Sequence, residues 1–270
     1  MWVSLETGPI LVCGAGQGSY GHMSNDATVA LVTGANKGIG RAVAGRFAEL
    51  GMTVLVGARD LDKGAAVAAE IAATGGKAYP VGLDVTDQRG VAAAAEEIGG
   101  RFGRLDVLVN NAGIAGDLEA QAPGSVRLDG MRTVFETNLF GVITVTEAML
   151  PLLRRSSAAR IVNVSSGTSS MTWTTDATHY LSRMPGSLAY PVSKAALNML
   201  TVQYAKALSR DGILVNAVAP GACDTDFARG LPFRLTRTAA DGAAIVVQLA
   251  TQGRECPTGG FFDDGGRVPW

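Results

Sequence analysis

Histidine and cysteine are scarce in this chain, and their placing excludes several chemistries. Its two histidines, His22 and His179, stand far apart, and Cys13, Cys223 and Cys256 show no C-x-x-C spacing. No metal-ligand set emerges from such a distribution. Three unpaired thiols are the pattern of reduced, intracellular cysteine rather than of a disulfide scaffold. Charge is sparse as well: 17% of the 270 residues, with a net charge of −1 and no basic run. Neutralising nucleic-acid phosphates takes clustered Lys and Arg, so nucleic acid is excluded as a partner. No apolar run approaches the roughly 20 residues that cross a bilayer. The apolar stretch 9–13 precedes the first basic residue, Lys37, and so lacks the positively charged start of a secretory signal. The expectation is a cytoplasmic protein without a membrane partner. Hydrophobic residues, at 47%, supply ample material for a core.

From residue 28 onward short apolar runs alternate with helical patterns. Strands are expected at 29–32, 52–56, 78–83, 105–109, 160–164, 213–218 and 259–263. Helices are expected at 41–50, 62–73, 87–98, 130–153, 190–210 and 239–250. Strands alternating with helices at this pitch give a parallel sheet with crossovers on both faces. The nearly unbroken apolar strands agree with a sheet covered on both sides. The fold class is therefore α/β, a doubly wound parallel seven-stranded sheet. No linker or repeat divides residues 25–270, which read as one domain. Residues 1–24 contain Gly16-Gln17-Gly18-Ser19-Tyr20-Gly21, a G-x-G-x-x-G string with no helix after it. A phosphate-binding turn needs that helix, so 1–24 reads as a disordered leader or an appended extension.

A second glycine turn has the right surroundings. Thr33-Gly34-Ala35-Asn36-Lys37-Gly38-Ile39-Gly40 lies between a strand and a helix, the context in which free amides and the helix dipole hold a pyrophosphate. The tip of the second strand selects the dinucleotide. An acid there suits the ribose hydroxyl of NAD, and an arginine suits a 2′-phosphate. The chain carries Gly57-Ala58-Arg59 with Asp60 next, and Lys37 adds a second cation. Two cations favour NADPH/NADP+, with Asp60 still within reach of a ribose.

Tyr190 and Lys194 stand four residues apart at the head of a helical run, on one face. An ammonium beside a phenol lowers a pKa of about 10, so the pair is expected to move a proton near neutral pH. Alone, the spacing equally describes a solvated Tyr/Lys pair.

Taken as a set, these motifs resemble the short-chain dehydrogenase/reductase family. They are Thr33-Gly34-xxx-Gly38-Ile39-Gly40, Asp84, Asn110-Asn111-Ala112-Gly113, Asn138, Ser165-Ser166, Tyr190-xxx-Lys194 and Pro220-Gly221, over about residues 28–264. The subgroup looks like its NADPH-dependent carbonyl reductases, with Ala35-Asn36-Lys37-Gly38, Gly57-Ala58-Arg59-Asp60 and Arg267-Val268-Pro269-Trp270 pointing that way. The resemblance implies a Rossmann domain that transfers hydride reversibly between a carbonyl and its alcohol. It implies Tyr190 as acid/base, Lys194 as the cation that tunes it and holds the nicotinamide ribose, and Ser166 as the donor that polarises the substrate oxygen. Asn138 would anchor a water in a proton relay. Asp84 and Val85 would flank the adenine, and Asn111, Ala112 and Gly113 the middle of the cofactor. Pro220, Gly221 and Thr225 would lie on the nicotinamide side. Without the resemblance, Asn138 would read as a residue capping a helical bend, and Ser166 as satisfying a local amide.

One departure concerns Ser166 to Tyr190, a separation longer than in compact members of the family. The added segment holds Met171, Trp173, His179, Tyr180, Leu181 and Met184, expected to cover the substrate mouth and favour a hydrophobic ketone or aldehyde. It could also crowd the helix face used for dimers, which leaves monomer or homo-oligomer open. A second cover is expected at 223–237, with Phe227, Leu231 and Phe233 inward. Two rival functions compete with this reading. A hydrolase built on Ser166, Asp176 and His179 lacks the G-x-S-x-G elbow and places its histidine in a mobile loop. A non-catalytic NADPH-binding sensor on the same fold would have no need of Tyr190, Lys194 and Ser166 together.

Overall fold

The structure is a computed structural model that describes residues 27–228, 235–253 and 255–270. The expected leader, and Leu231 and Phe233 of the second cover, lie outside these residues. Strands from both halves of the chain join one sheet: β1 (Val29–Thr33), β2 (Thr53–Ala58), β3 (Lys77–Gly82), β4 (Val107–Asn110), β5 (Arg160–Val164), β6 (Leu214–Val218), β7 (Phe261–Asp263) and β8 (Gly266–Arg267). Their spatial order is β3-β2-β1-β4-β5-β6-β7-β8, parallel up to β7. The eighth strand corrects the expected seven. Asp263-Asp264-Gly265-Gly266 turns the chain back, Asp263 Oδ1 accepting from the Gly265 amide at 2.8 Å, and β8 pairs antiparallel with β7. A strand of two residues has no periodicity to read.

The helices are α1 (Gly38–Glu49), α2 (Leu61–Ala73), α3 (Gln88–Phe102), α4 (Leu128–Phe135), α5 (Gly141–Leu153), α6 (Met171–Thr175), α7 (Tyr190–Ala207) and α8 (Ala239–Thr251). Alternate residues of each strand feed opposite layers. Ala30, Val32, Val54, Val56 and Val109 pack with Val43 and Phe47 of α1 and Val246 of α8. Leu31, Leu55, Leu108 and Ile161 pack with Ile98 of α3, Met149 of α5 and Leu208 beyond α7. Each fully buried side chain of this size contributes about 1.5–3 kcal/mol, so the β1–β4–β5 centre is a rigid platform. Edge strand β3 is the exception, with alternating exposure and a proline, Pro80, that only an edge accommodates.

The expected helix 130–153 is interrupted. A π-helical turn, Glu136–Phe140, separates α4 from α5 and carries Asn138 inward to full burial. Such wide turns are frequent at functional positions. Among the described residues no helix is long and apolar enough to cross a membrane.

The sheet order reverses between β1, which pairs with β2 on one side and β4 on the other. Ligands of open α/β sheets bind outside the carboxyl ends at this switch point. The glycine turn, Asn111 and Ser166 all follow the carboxyl ends of central strands.

Candidate active site

At the end of β1 the glycine turn is fastened to the end of β4. The Thr33 hydroxyl accepts from the amides of Asn111 (3.0 Å) and Ala112 (2.9 Å). The Asn111 side chain donates to the carbonyls of Thr33 (2.8 Å) and Gly34 (3.3 Å). Gly34 and Gly38 adopt φ of 63° and 55°, a region that costs glycine little. A Cβ at Gly40 would stand 2.4 Å from Asn111 Nδ2 and 2.6 Å from the Gly34 carbonyl oxygen, so only glycine fits. The turn therefore delivers the first amides of α1 to the switch point. Asn36 and Ile39 are half-buried in it, and Ile39 packs towards Gly242. Asn111, expected along a cofactor, spends its amide on the turn itself. Ala112 and Gly113 continue from it, a Gly113 Cβ lying 3.2 Å from Asn138 Oδ1 and 3.4 Å from Lys194 Nζ.

At the tip of β2, Arg59 is exposed. Asp60 caps α2, accepting from the Lys63 amide at 3.2 Å, and its carboxylate pairs with the Lys63 ammonium at 2.7 Å. These Lys63 contacts hold its pKa below the usual carboxylate range. Lys37 is exposed and pairs with Asp226 at 3.3 Å. Asp84 accepts from the amide (3.0 Å) and hydroxyl (2.7 Å) of Thr86, while Val85 is buried against Gly141 of α5. Thr225 lies over Gly38, its Cγ2 3.6 Å from the Cβ position there. Pro220 and Gly221 follow β6, and Gly221 has φ 75°.

Ser166, Tyr190, Lys194 and Asn138 converge beyond β5. The Ser166 hydroxyl caps the following turn, accepting from the Thr168 amide at 3.3 Å, and lies near enough to the Tyr190 phenol to favour its ionised form. The local-amide reading of this serine is seen directly. Lys194 is buried, donates to the Val164 carbonyl at 2.7 Å and stands 5.9 Å from the Tyr190 ring centre. Loss of hydration dominates the electrostatics. It pushes the phenol up to about 12, only partly opposed by Ser166, and pulls Lys194 down to about 8. This corrects the expected phenol brought towards neutrality: the ammonium points to a carbonyl, and burial sets the direction of the shift. Asn138 donates to the Ile114 carbonyl (2.9 Å) and Ser193 Oγ (3.1 Å) and accepts from the Ile114 amide (2.9 Å). Its carboxamide is thus tied to protein partners on both sides.

The hydrolase set does not assemble. Asp176 accepts from Thr178, and His179 Nδ1 accepts from the Leu181 amide at 3.3 Å while its ring stacks on Trp173 at 4.8 Å. The added segment is ordered into α6 and a turn over Tyr180–Arg183. It is anchored by the Ser170 hydroxyl donating to the Pro269 carbonyl (2.6 Å) and the Thr172 hydroxyl to that of Trp270 (2.8 Å). Trp173 lies against Gly167 beside Ser166, Leu181 is buried, and Met171 and Tyr180 are exposed. From the other side Phe227 brings its ring to 5.4 Å from that of Tyr190.

Several supporting residues escaped sequence reasoning. The Ser165 hydroxyl donates to Asn198 Oδ1 (2.6 Å), and the Asn198 amide donates to Ser169 Oγ (2.8 Å). Ser169 in turn bonds the Ser166 carbonyl. Asn198, one turn beyond Lys194, was legible only as a polar residue on a helix face that the sheet buries.

Comparison with known proteins identifies the family. A family profile described as short chain dehydrogenase matches residues 28–233. Short-chain dehydrogenase anuI of Penicillium roqueforti is 37% identical over 228 residues, 83% of this chain and 88% of its own. A 3-oxoacyl-(acyl-carrier-protein) reductase of Synechocystis sp. is 37% identical over 206 residues, 76% of this chain and 78% of its own. Among solved structures, NADPH-bound carbonyl reductase from chicken fatty liver superposes with a TM-score of 0.77 at 29% identity, covering 90% of this chain and 98% of that one. The chain belongs to the short-chain dehydrogenase family of oxidoreductases.

Proposed function

We propose that the protein is an NADPH-dependent reductase of ketone or aldehyde carbonyls, with Tyr190 as proton donor. The observation that carries this reading is the meeting of Tyr190, Ser166 and Lys194 at the carboxyl end of β5, across the switch point from the glycine turn. The residues present fit a phosphorylated dinucleotide. The tightly folded glycine turn brings the first amides of α1 to the switch point, Arg59 and Lys37 are exposed cations, and Asp60, the competing acid, is engaged by Lys63. The NADPH in the chicken-liver carbonyl reductase supports the same assignment.

When bound, NADPH supplies the hydride. The Ser166 hydroxyl is set to donate to the substrate oxygen and polarise the carbonyl. The Tyr190 phenol, protonated until about pH 12, is in the form that gives a proton to the nascent alkoxide. Lys194 is an ammonium below about pH 8 and steadies the phenolate that remains. Alcohol oxidation needs the phenolate at the outset and is therefore favoured by alkaline pH. Trp173, Leu181 and Phe227 around the cleft support a hydrophobic substrate.

The test is absorbance loss at the nicotinamide band with a panel of aliphatic and aromatic carbonyls. NADPH is expected to be used at least roughly tenfold more efficiently than NADH, the worth of one charge-assisted phosphate contact. A preference for NADH would overturn the cofactor assignment. Tight NADPH binding without turnover of any carbonyl would overturn the enzyme in favour of a sensor.

A further inference from the structure

Resting on the reductase reading, we infer that Gln121 is a positioning residue for proton transfer, its carboxamide holding the Tyr190 amide and with it the placing of the phenol. Helix α7 begins at the residue that carries the chemistry. Its cap position, Ala189, has no side chain that could accept from the first amides, and Pro191 has no N–H to offer. The acceptor comes instead from a loop 69 residues earlier: Gln121 Oε1 receives the Tyr190 amide at 3.0 Å and the Ser187 hydroxyl at 2.8 Å.

The other end of the carboxamide is equally committed. Gln121 Nε2 donates to the carbonyls of Ala115 (2.7 Å) and Asp117 (3.1 Å). Two donors and two acceptor contacts are all used, and exchanging O and N would set donor against donor at Tyr190 and acceptor against acceptor at Ala115 and Asp117. The side chain is buried, and the Gln121 carbonyl accepts from the Leu188 amide at 2.9 Å. A low-polarity surrounding makes each such bond costly to lose.

Tyr190 has a second tie, within its own helix. Its carbonyl accepts from the Ser193 hydroxyl at 2.7 Å, and Ser193 Oγ accepts from Asn138, whose carboxamide is bound to Ile114. Segment 114–121, the continuation of Asn111-Ala112-Gly113, therefore holds the Tyr190 amide directly and reaches its carbonyl only through Asn138 and Ser193. The body of α7 is held independently by buried Leu197, Ala205 and Leu208. Gln121 thus decides the first turn, where the phenol is aimed at Ser166, and not whether the helix exists.

Gln121→Met keeps the bulk and removes every polar contact of the side chain. It is expected to lower kcat roughly tenfold to a hundredfold, the effect of a misplacement of about an ångström, with NADPH affinity near wild type and a melting temperature lowered by several degrees through the buried bonds lost. Gln121→Glu keeps the acceptor for Tyr190 and loses the donors to Ala115 and Asp117. Its kcat relative to wild type should lie between the two and climb as pH is lowered and its carboxyl regains a proton. Amide exchange of the peptide containing Tyr190, followed by mass spectrometry, should quicken in Gln121→Met. An unaltered kcat in folded Gln121→Met, or parallel losses of kcat, cofactor affinity and melting temperature in both variants, would overturn the inference. So would unchanged exchange at Tyr190. Were wild type to turn over no carbonyl, the reductase reading would fall, while exchange would still decide whether Gln121 holds Tyr190.

Discussion

Replacing Lys194 by methionine removes a buried ammonium, and its cost can be read from the pH dependence of stability. Lys194 is 4% exposed, and burial lowers its pKa from 10.5 to about 8. Between those values the unfolded chain binds the proton that the folded protein has released. Stability of the wild type therefore rises with pH across this window. The opposing group is Tyr190, which folding raises to about 12, so that its contribution falls with pH only above about 10. From pH 8 to pH 10 the lysine acts alone at this site, and a displacement of two pH units is worth about 2–3 kcal/mol. Lys194→Met also frees the Val164 carbonyl, but that loss is independent of pH and drops out of the slope. Urea unfolding of both proteins at intervals from pH 7 to pH 10 gives the comparison. The difference, wild type minus Lys194→Met, should shift in favour of wild type by about 2–3 kcal/mol. A flat or falling difference would show that Lys194 is not desolvated as the structure has it. The same ionisation should set an alkaline limb near pH 8 in kcat/KM for reduction, absent from any variant that retains no ammonium.

Arg59→Ala should weaken NADPH roughly tenfold to a hundredfold and leave NADH unaffected, as loss of one charge-assisted contact requires; fluorescence titration of both nucleotides checks this. Shortening the segment 171–184 opens the side of the cleft beside Gly167, and should raise KM for bulky apolar carbonyls or admit a wider set of substrates. Unchanged kinetics would contradict its role as a cover.

The parallel sheet was legible because strands covered on both faces must be apolar throughout; Val29–Thr33 and Arg160–Val164 have every residue buried. The glycine turn was legible because Gly34, Gly38 and Gly40 answer separate steric demands that no other residue meets. Tyr190 and Lys194 were legible as a pair from helical spacing, but the sign of the phenol's shift was not. Spacing reports proximity, whereas the shift follows from burial, a property of the whole fold. Gln121 and Asn198 were invisible for a related reason. Each acts through contacts tens of residues away, Gln121 with Tyr190 and Asn198 with Ser165 and Ser169, and neither sits in a repeating pattern. Asn138 was placed correctly in a helical stretch, yet the π turn that swings it inward answers to its bonds with Ile114 and Ser193, which periodicity does not encode.

The account stands on a neutral phenol that hands its proton to a carbonyl oxygen, and Tyr190→Phe removes that hydroxyl while keeping the ring. With NADPH saturating and the best carbonyl of the panel, kcat should fall by roughly a hundredfold to ten-thousandfold, the span of general acid catalysis, with NADPH affinity unchanged. A Tyr190→Phe protein that reduces the carbonyl at close to the wild-type rate would contradict the assignment of the proton to Tyr190.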